Sequence, residues 1–190
     1  MTLDEREVIE ELENSGALKK GHFMLSSGLH SDTYIQCALL LEDPRRAAEV
    51  GESLARKAGK EVDLVLSPAL GGIVVGFTTA LALGCPMVFA ERVEGRMELR
   101  RGFSIERGSR VLLVEDVITT GGSVMELARI AEEAGASAAA VACIVDRGGF
   151  DPGGLEFVSL SHLEVPSYRP EDCPLCRAGK AVTSPGSRYT

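Results

Sequence analysis

Four short apolar runs constrain the fold of this chain more than any other sequence feature. They cover residues 62–66, 86–90, 110–116 and 138–146. Segments with helical character lie around them, at 43–58, at 73–83 and from a glycine-rich turn to Glu133. Short apolar runs that alternate with helices are typical of parallel strands whose two faces are covered. We therefore predict an α/β fold with a central, mainly parallel sheet flanked by helices.

The size and charge of the chain exclude several classes of protein. Its 190 residues fit one domain spanning 1–190. No apolar run approaches the roughly 20 residues of a membrane helix, and the acidic N-terminus does not resemble a signal peptide. We expect a cytoplasmic protein without a membrane partner. The net charge of −8 argues against nucleic-acid binding, although a local site can still be cationic.

Polar and glycine-rich loops follow each of the four apolar runs. They read SPALGG at 67–72, AERVEGRMELRRG at 90–102, EDVITTGGS at 115–123 and DRGG at 146–149. In a parallel sheet these loops lie together at the carboxyl edge, where open α/β folds bind ligands. The sequence therefore predicts a ligand site built from four segments.

The turn TTGGS at 119–123 has the composition of a phosphate cradle. Glycines let the backbone approach an anion, amides at a helix start carry partial positive charge, and hydroxyls add donors. The alternative is a simple helix start, because Ser123 and Glu126 fit the capping box S-x-x-E. The turn is not a Walker loop, since no lysine follows its glycines.

Two acids, Glu115 and Asp116, directly precede this turn. Adjacent residues of a strand point to opposite faces, so a general acid–base pair is not favoured. Beside an anion-binding turn, carboxylates suit sugar hydroxyls or Mg²⁺. The combination suggests a sugar phosphate ligand, and the alternative is a solvated strand end.

Arginines are concentrated in the 90–102 segment. Arg92, Arg96, Arg100 and Arg101 alternate there with Glu91, Glu94 and Glu98. A long arginine-bearing loop can close over an anion and exclude water. The alternative is a solvated hairpin with mixed charges.

The five cysteines give no clear metal signature. Cys37, Cys85 and Cys143 lie in apolar surroundings typical of buried thiols. Cys173 and Cys176 form one CPLC pair, whereas a structural zinc site needs four ligands and no second pair exists. The nearest histidine in sequence is His162, and we expect a plain turn in the tail rather than a zinc site.

The segment VLLVEDVITTGGS at 111–123 resembles the phosphoribosyl-diphosphate signature of the type I phosphoribosyltransferases, with four hydrophobic residues, two acids and a Thr/Gly-rich turn. SPALGG is similar to the diphosphate-binding turn of that family. The resemblance is closest to the members that use orotate: 22–36 resembles their hood, IVDRGG at 144–149 their Asp-Arg element, and 164–179 the tail of a bacterial branch.

This resemblance implies a single type I phosphoribosyltransferase domain with a small N-terminal hood at 1–40 and a C-terminal tail at 163–190. It implies transfer of the 5-phosphoribosyl group from 5-phosphoribosyl 1-diphosphate to orotate, in pyrimidine synthesis. The implied cofactor is Mg²⁺, held through the substrate and Asp116 rather than by a dedicated protein site. The implied assembly is a homodimer in which the arginine-bearing loop is mobile and reaches the neighbouring subunit's site.

Site residues follow from the same resemblance. Those implied to act in catalysis are Asp116, Glu115 and Arg96. Those implied to bind the phosphoribosyl diphosphate are Ala69, Leu70, Gly71, Gly72, Arg92, Arg96, Glu115, Asp116, Val117, Ile118, Thr119, Thr120, Gly121, Gly122 and Ser123. Those implied to bind orotate are Thr119 and Arg147.

The chain also departs from the family pattern. Many relatives carry a catalytically important lysine in the mobile loop, but no lysine lies between Lys60 and Lys180 here. Arg96 is the candidate replacement, with Arg100 second, and its role would be electrostatic because arginine does not release its proton. Ser26 stands where many relatives have a hood lysine. Two other functions therefore stay open: transfer to another base, and a regulatory protein that keeps the site without chemistry.

Overall fold

The computed structural model describes residues 2–25, 27–59 and 61–185. Its central feature is a six-stranded sheet. Its strands are β3 (Leu64–Pro68), β4 (Met87–Val93), β5 (Arg96–Leu99), β6 (Arg110–Ile118), β7 (Ser137–Asp146) and β8 (Glu156–His162). Their order is β5-β4-β3-β6-β7-β8, and every neighbouring pair is parallel except β4–β5. The predicted α/β class and mainly parallel sheet are confirmed.

Helices α1 (Glu5–Asn14), α3 (Pro44–Ala58), α4 (Gly71–Leu83) and α5 (Gly122–Glu133) pack on this sheet. The described residues also contain α2 (Cys37–Leu41), α6 (Pro174–Arg177) and a short 3₁₀ helix at Pro170–Asp172. Asp43 caps α3 by accepting a hydrogen bond from the Arg45 amide at 2.9 Å, as expected for Asp-Pro at a helix start.

Two buried clusters lie on opposite faces of the sheet, and β6 shows why. Leu112 and Val114 join one cluster, whereas Val111 and Leu113 join the other, and all four are fully buried. The near-continuous apolar run of β6 thus fills two cores at once.

A smaller three-stranded sheet forms the hood. It contains β1 (Leu18–Met24), β2 (His30–Ile35) and β9 (Ser167–Tyr168), in the order β1-β2-β9 and antiparallel throughout. The tail therefore supplies one strand of the hood. The first forty residues also reach the main domain, because Val8 and Leu12 of α1 are fully buried in its core.

Strand β8 was not anticipated from the sequence. Its residues, EFVSLSH, include two serines and a histidine, so they do not form an apolar run. The strand lies at the edge of the sheet, where α1 and α3 pack against it. No helix among the described residues is long and apolar enough to span a membrane.

Candidate active site

A cleft of about 1050 Å³ opens at the carboxyl edge of the sheet. It is lined by residues from all four predicted loops: Pro68 to Leu70, Arg92, Gly95 and Met97, Glu115 to Val124, and Arg147 with Gly148. The hood and tail close its other side. The predicted convergence of four segments at one sheet edge is confirmed.

The 69–72 turn approaches the acidic pair very closely. The Ala69–Leu70 peptide is cis, and α4 begins at Gly71. A Cβ atom at Gly71 would lie 2.6 Å from Oδ2 of Asp116, so only glycine fits while that carboxylate keeps its position. Ala69 and Leu70 of this turn line the cleft together with Asp116, whereas Gly71 and Gly72 are not among the lining residues.

Glu115 and Asp116 both line the cleft, although adjacent strand residues ordinarily point to opposite faces. Glu115 is 9% exposed, and its burial, followed by the nearby Asp116 charge, raises the pKa of its carboxyl well above the usual range. Asp116 is half-buried and accepts the Val117 amide at 2.9 Å. Two carboxyl groups with different environments thus face the same space.

The 119–123 turn lies at the start of α5. The cap residue is Gly121, with a φ of 74°, and no side chain caps the helix. A Cβ atom at Gly121 would also lie 2.0 Å from the Phe150 ring. The capping-box interpretation of Ser123 and Glu126 is therefore wrong. The first amides of α5 are left without a side-chain partner, which suits an anionic ligand.

Glu126 instead ties the arginine-bearing segment to α5. Its carboxylate accepts a hydrogen bond from Arg92 Nη2 at 2.8 Å and from the Met97 amide at 2.9 Å. The segment itself is the β4–β5 hairpin, in which Arg92 pairs with Met97 across the strands. The sequence offered a hairpin as one interpretation of this segment, and the structure shows a hairpin formed by Met87–Val93 and Arg96–Leu99.

The other arginines of the hairpin are not among the residues that line the cleft. Arg101 forms an ion pair with Glu91 at 2.8 Å and lies 5.9 Å from the Phe89 ring centroid. Arg96 and Arg100 are exposed. Arg92 is thus the hairpin arginine that lines this subunit's cleft, and Arg96 is not among the lining residues.

Arg147 lines the cleft with one guanidinium nitrogen that has no hydrogen-bond partner among the described residues. That nitrogen, Nε, is buried, and burial lowers the pKa of the guanidinium. The loop that carries it is fixed by Asp146, which accepts the Gly148 amide at 2.8 Å and bonds His162 Nδ1 at 2.9 Å. A buried donor without a partner costs stability, so the site favours an anionic ligand here.

The hood adds residues that we did not single out. Tyr34 and Gln36 of the β2 region, and Leu25 and Leu29 of the β1–β2 turn, line the cleft opposite the acids. Burial, followed by the Asp116 charge, raises the pKa of Tyr34. Their positions depend on how the hood folds over the sheet edge, so no local pattern marks them. Ser26 lies outside the described residues, as do residues 186–190 of the tail.

Comparisons with known proteins agree with this geometry. Residues 39–150 match the phosphoribosyl transferase domain family. An orotate phosphoribosyltransferase of Thermotoga maritima is 49% identical over 181 residues, covering 94% of this chain and 97% of that protein.

Solved structures show the same fold. The Aeropyrum pernix orotate phosphoribosyltransferase has a TM-score of 0.70 at 26% identity, covering 83% of this chain and 94% of that one. The Mycobacterium tuberculosis enzyme, solved with inorganic phosphate, has a TM-score of 0.68 at 26% identity, covering 84% and 96%. The chain therefore belongs to the phosphoribosyltransferase family, and within it to the orotate phosphoribosyltransferases.

Proposed function

We propose that this chain transfers the 5-phosphoribosyl group from 5-phosphoribosyl 1-diphosphate to orotate, giving orotidine 5′-monophosphate and diphosphate in pyrimidine synthesis. The observation that carries the proposal is the presence, in one cleft, of a helix start at Gly121 without a side-chain cap and of Arg147, whose Nε atom has no hydrogen-bond partner among the described residues. The first suits a phosphate and the second suits a carboxylate, and the two reactants bring one of each.

The four loops divide the substrates between them in this proposal. Residues 119–123 hold the 5′-phosphate through backbone amides and hydroxyls. Glu115 and Asp116 hold the ribose hydroxyls, and the 69–72 turn holds the diphosphate, with Arg92 at its side. Arg147 and Thr119 bind orotate. All of these residues except Gly71 and Gly72 line the cleft.

The proposed chemistry needs charge placement and water exclusion. Bond breaking at the anomeric carbon develops positive charge on the ribose, which the Asp116 carboxylate stabilises, while Glu115 holds a ribose hydroxyl. Diphosphate leaves with negative charge, which the arginines stabilise. The hood covers the reacting carbon and excludes water, so that orotate rather than water is the nucleophile.

The proposed position of Mg²⁺ is beside the Asp116 carboxylate. Asp116 is half-buried in the cleft, makes no ion pair within the described residues, and offers the oxygen ligands that Mg²⁺ prefers. In the proposal, Mg²⁺ neutralises diphosphate charge and is held by the substrate, with Asp116 as the protein group beside it. The cytoplasm is the proposed compartment, because no disulfide joins any of the five cysteines.

A homodimer is supported by the exposed face of α4. Leu70, Val74, Phe77 and Leu81 recur at helical spacing and are 77%, 43%, 60% and 68% exposed. The opposite face of α4 is buried in the core, so this helix is apolar all round, as expected for a helix that a partner covers. Arg96, exposed and outside the lining of its own cleft, is then available to the neighbouring subunit.

Mixing two inactive variants tests the role of Arg96 across the dimer. Arg96→Ala and Asp116→Asn subunits, unfolded and refolded together, give mixed dimers in half of the population. If Arg96 acts on the neighbouring site, one site in each mixed dimer is intact, and about a quarter of wild-type activity returns. If Arg96 acts on its own site, no activity returns. Phe77→Glu should halve the mass in analytical ultracentrifugation.

An absorbance assay with purified chain, Mg²⁺ and 5-phosphoribosyl 1-diphosphate tests the reaction itself. Orotate, uracil, adenine, hypoxanthine and xanthine are offered separately, and consumption of orotate alone is expected. Turnover of another base instead would show that the arginine-only hairpin and Ser26 mark a changed substrate. Turnover of none of the five would favour the regulatory alternative.

A further inference from the structure

Four potential metal ligands meet where the tail crosses the hood. They are His22 of β1, His30 of β2, and Cys173 and Cys176 of the CPLC segment. One ligand atom from each lies within 4.8 Å of the others. None of the four lines the cleft, so the cluster is separate from the active site.

Backbone pairing on both sides of the CPLC segment holds the tail against the hood. Before it, β9 pairs with β2, and Ser31 Oγ donates to the Pro166 carbonyl at 2.8 Å. After it, the Thr183 amide donates to the His22 carbonyl at 2.8 Å, and the Met24 amide donates to the Thr183 carbonyl at 2.8 Å. The two cysteines are therefore placed by the fold rather than by a free tail.

Four distances within the cluster lie within about half an ångström of the edges of a tetrahedron around zinc. Bonds of about 2.0 Å to nitrogen and 2.3 Å to sulfur give tetrahedral edges of roughly 3.3 Å for N···N and 3.5 Å for N···S. Here His22 Nε2 lies 2.9 Å from His30 Nδ1, 3.5 Å from Cys173 Sγ and 3.7 Å from Cys176 Sγ. Cys176 Sγ lies 3.2 Å from His30 Nδ1.

A hydrogen bond outside the cluster orients His22 as a ligand. Its Nδ1 lies 2.8 Å from the Lys180 carbonyl oxygen, which can only accept, so Nδ1 carries the hydrogen. Nε2 then turns its lone pair toward the two sulfurs and His30. Metal-bound histidines commonly donate their other ring N–H to a carbonyl in this way.

Burial of the cluster suits a structural ion. Cys173 is fully buried, and His22 and His30 are 5% and 6% exposed. Cys176 is exposed and leaves a route by which an ion can reach the site. Four protein ligands complete a tetrahedral shell, so no position remains for a substrate or a reactive water.

We propose that His22, His30, Cys173 and Cys176 bind a structural Zn²⁺ ion that joins the tail to the hood. Two sulfur and two nitrogen donors in a tetrahedral arrangement favour zinc among the common divalent ions. The ion fixes the β1–β2 hairpin, whose turn contributes Leu25, Ser27 and Leu29 to the cleft. The proposal does not depend on the identity of the base that the enzyme uses.

His162, the histidine nearest to the cysteines in sequence, takes no part. It lies at the end of β8 in the main sheet, where its ring bonds Asp146, and it is not among the clustered ligands. The expectation of a plain tail turn rested on the missing second Cys or His pair near CPLC. That pair exists as His22 and His30, about 150 residues earlier in the chain.

Metal analysis of the full chain tests the proposal. The protein is purified without a metal-affinity step, dialysed against a weak chelator, and its zinc is measured by mass spectrometry. We expect about one zinc ion per chain in the wild type and in the control Cys85→Ser, and almost none in the Cys173→Ser/Cys176→Ser double variant. His30→Cys should retain zinc, because three sulfurs and one histidine also form a zinc site, whereas His30→Ala should lose it.

Cobalt substitution makes the test independent of whether the variants fold. Wild-type protein stripped of metal under reducing conditions and loaded with Co²⁺ should show the intense visible absorption of a tetrahedral ion and thiolate-to-cobalt charge transfer. Wild-type protein that is stripped of zinc, loaded with Co²⁺ and still lacks this spectrum would overturn the proposal. So would zinc retained in the double variant, or a Cys173–Cys176 disulfide in protein purified under reducing conditions.

Discussion

The cleft and the hood–tail cluster differ in how the chain assembles them. Most of the cleft is lined by short segments that follow strands of the main sheet, and the residues of each segment are neighbours in sequence as well as in space. The cluster joins His22 and His30 to cysteines about 150 residues away, through strand pairing between the two ends of the chain. A local motif therefore reveals the first kind of site, and only the fold reveals the second.

The largest expected effect comes from removing Arg147, the proposed partner of the orotate carboxylate in the cleft. Arg147→Ala should lower kcat/KM for orotate by about 10²-fold or more, since it removes a partly buried cation that pairs with a carboxylate. The KM for 5-phosphoribosyl 1-diphosphate should change little. Arg45→Ala, an exposed arginine at the start of α3, serves as the control. An equal loss for both substrates would argue against an orotate contact.

The second prediction asks whether the cluster and the cleft are coupled. The Cys173→Ser/Cys176→Ser variant should raise the KM for orotate by about tenfold, because the hood turn loses its anchor. The KM for the phosphoribosyl substrate should change less, since its binding segments lie on the main sheet. Steady-state kinetics in parallel with Cys85→Ser measure this. Unchanged kinetics with lost zinc would show that the hood is held by backbone pairing alone.

The third prediction concerns how the buried Glu115 carboxyl makes the stability of the protein depend on pH. The pKa of Glu115 is raised in the folded chain, so the folded state keeps a proton that the unfolded state releases. Stability therefore falls as pH rises from the unfolded-state pKa toward the folded-state pKa. Glu115→Gln should remove this dependence and stabilise the protein at pH 8 by about 1 kcal/mol, while reducing activity.

Urea unfolding of both proteins at pH 5 and pH 8, without substrate, measures this difference. The variant and the wild type should differ more at pH 8 than at pH 5. A wild type that gains stability relative to the variant as pH rises would contradict the assignment of a raised pKa to Glu115.

The smallest expected effect comes from the link between the hairpin and α5. Glu126→Gln keeps the size of the side chain but weakens its charge-assisted bond to Arg92. We expect a loss of kcat/KM of only a few-fold, since a partly exposed ion pair contributes about 1 kcal/mol or less. The loss should grow at low salt, where the wild-type pair is strongest. Kinetics at two ionic strengths measure it.

The α/β class, the strands on which the site is built and the residues of the four loops could all be predicted from the sequence. This was possible because apolar runs mark buried strands and because parallel strands bring their following loops to one edge. The pairing of Arg92 with Glu126, the place of Tyr34 near Asp116, and the meeting of His22 and His30 with CPLC are seen only in the folded chain. These contacts join segments far apart in the chain, and their geometry depends on packing that no local pattern encodes.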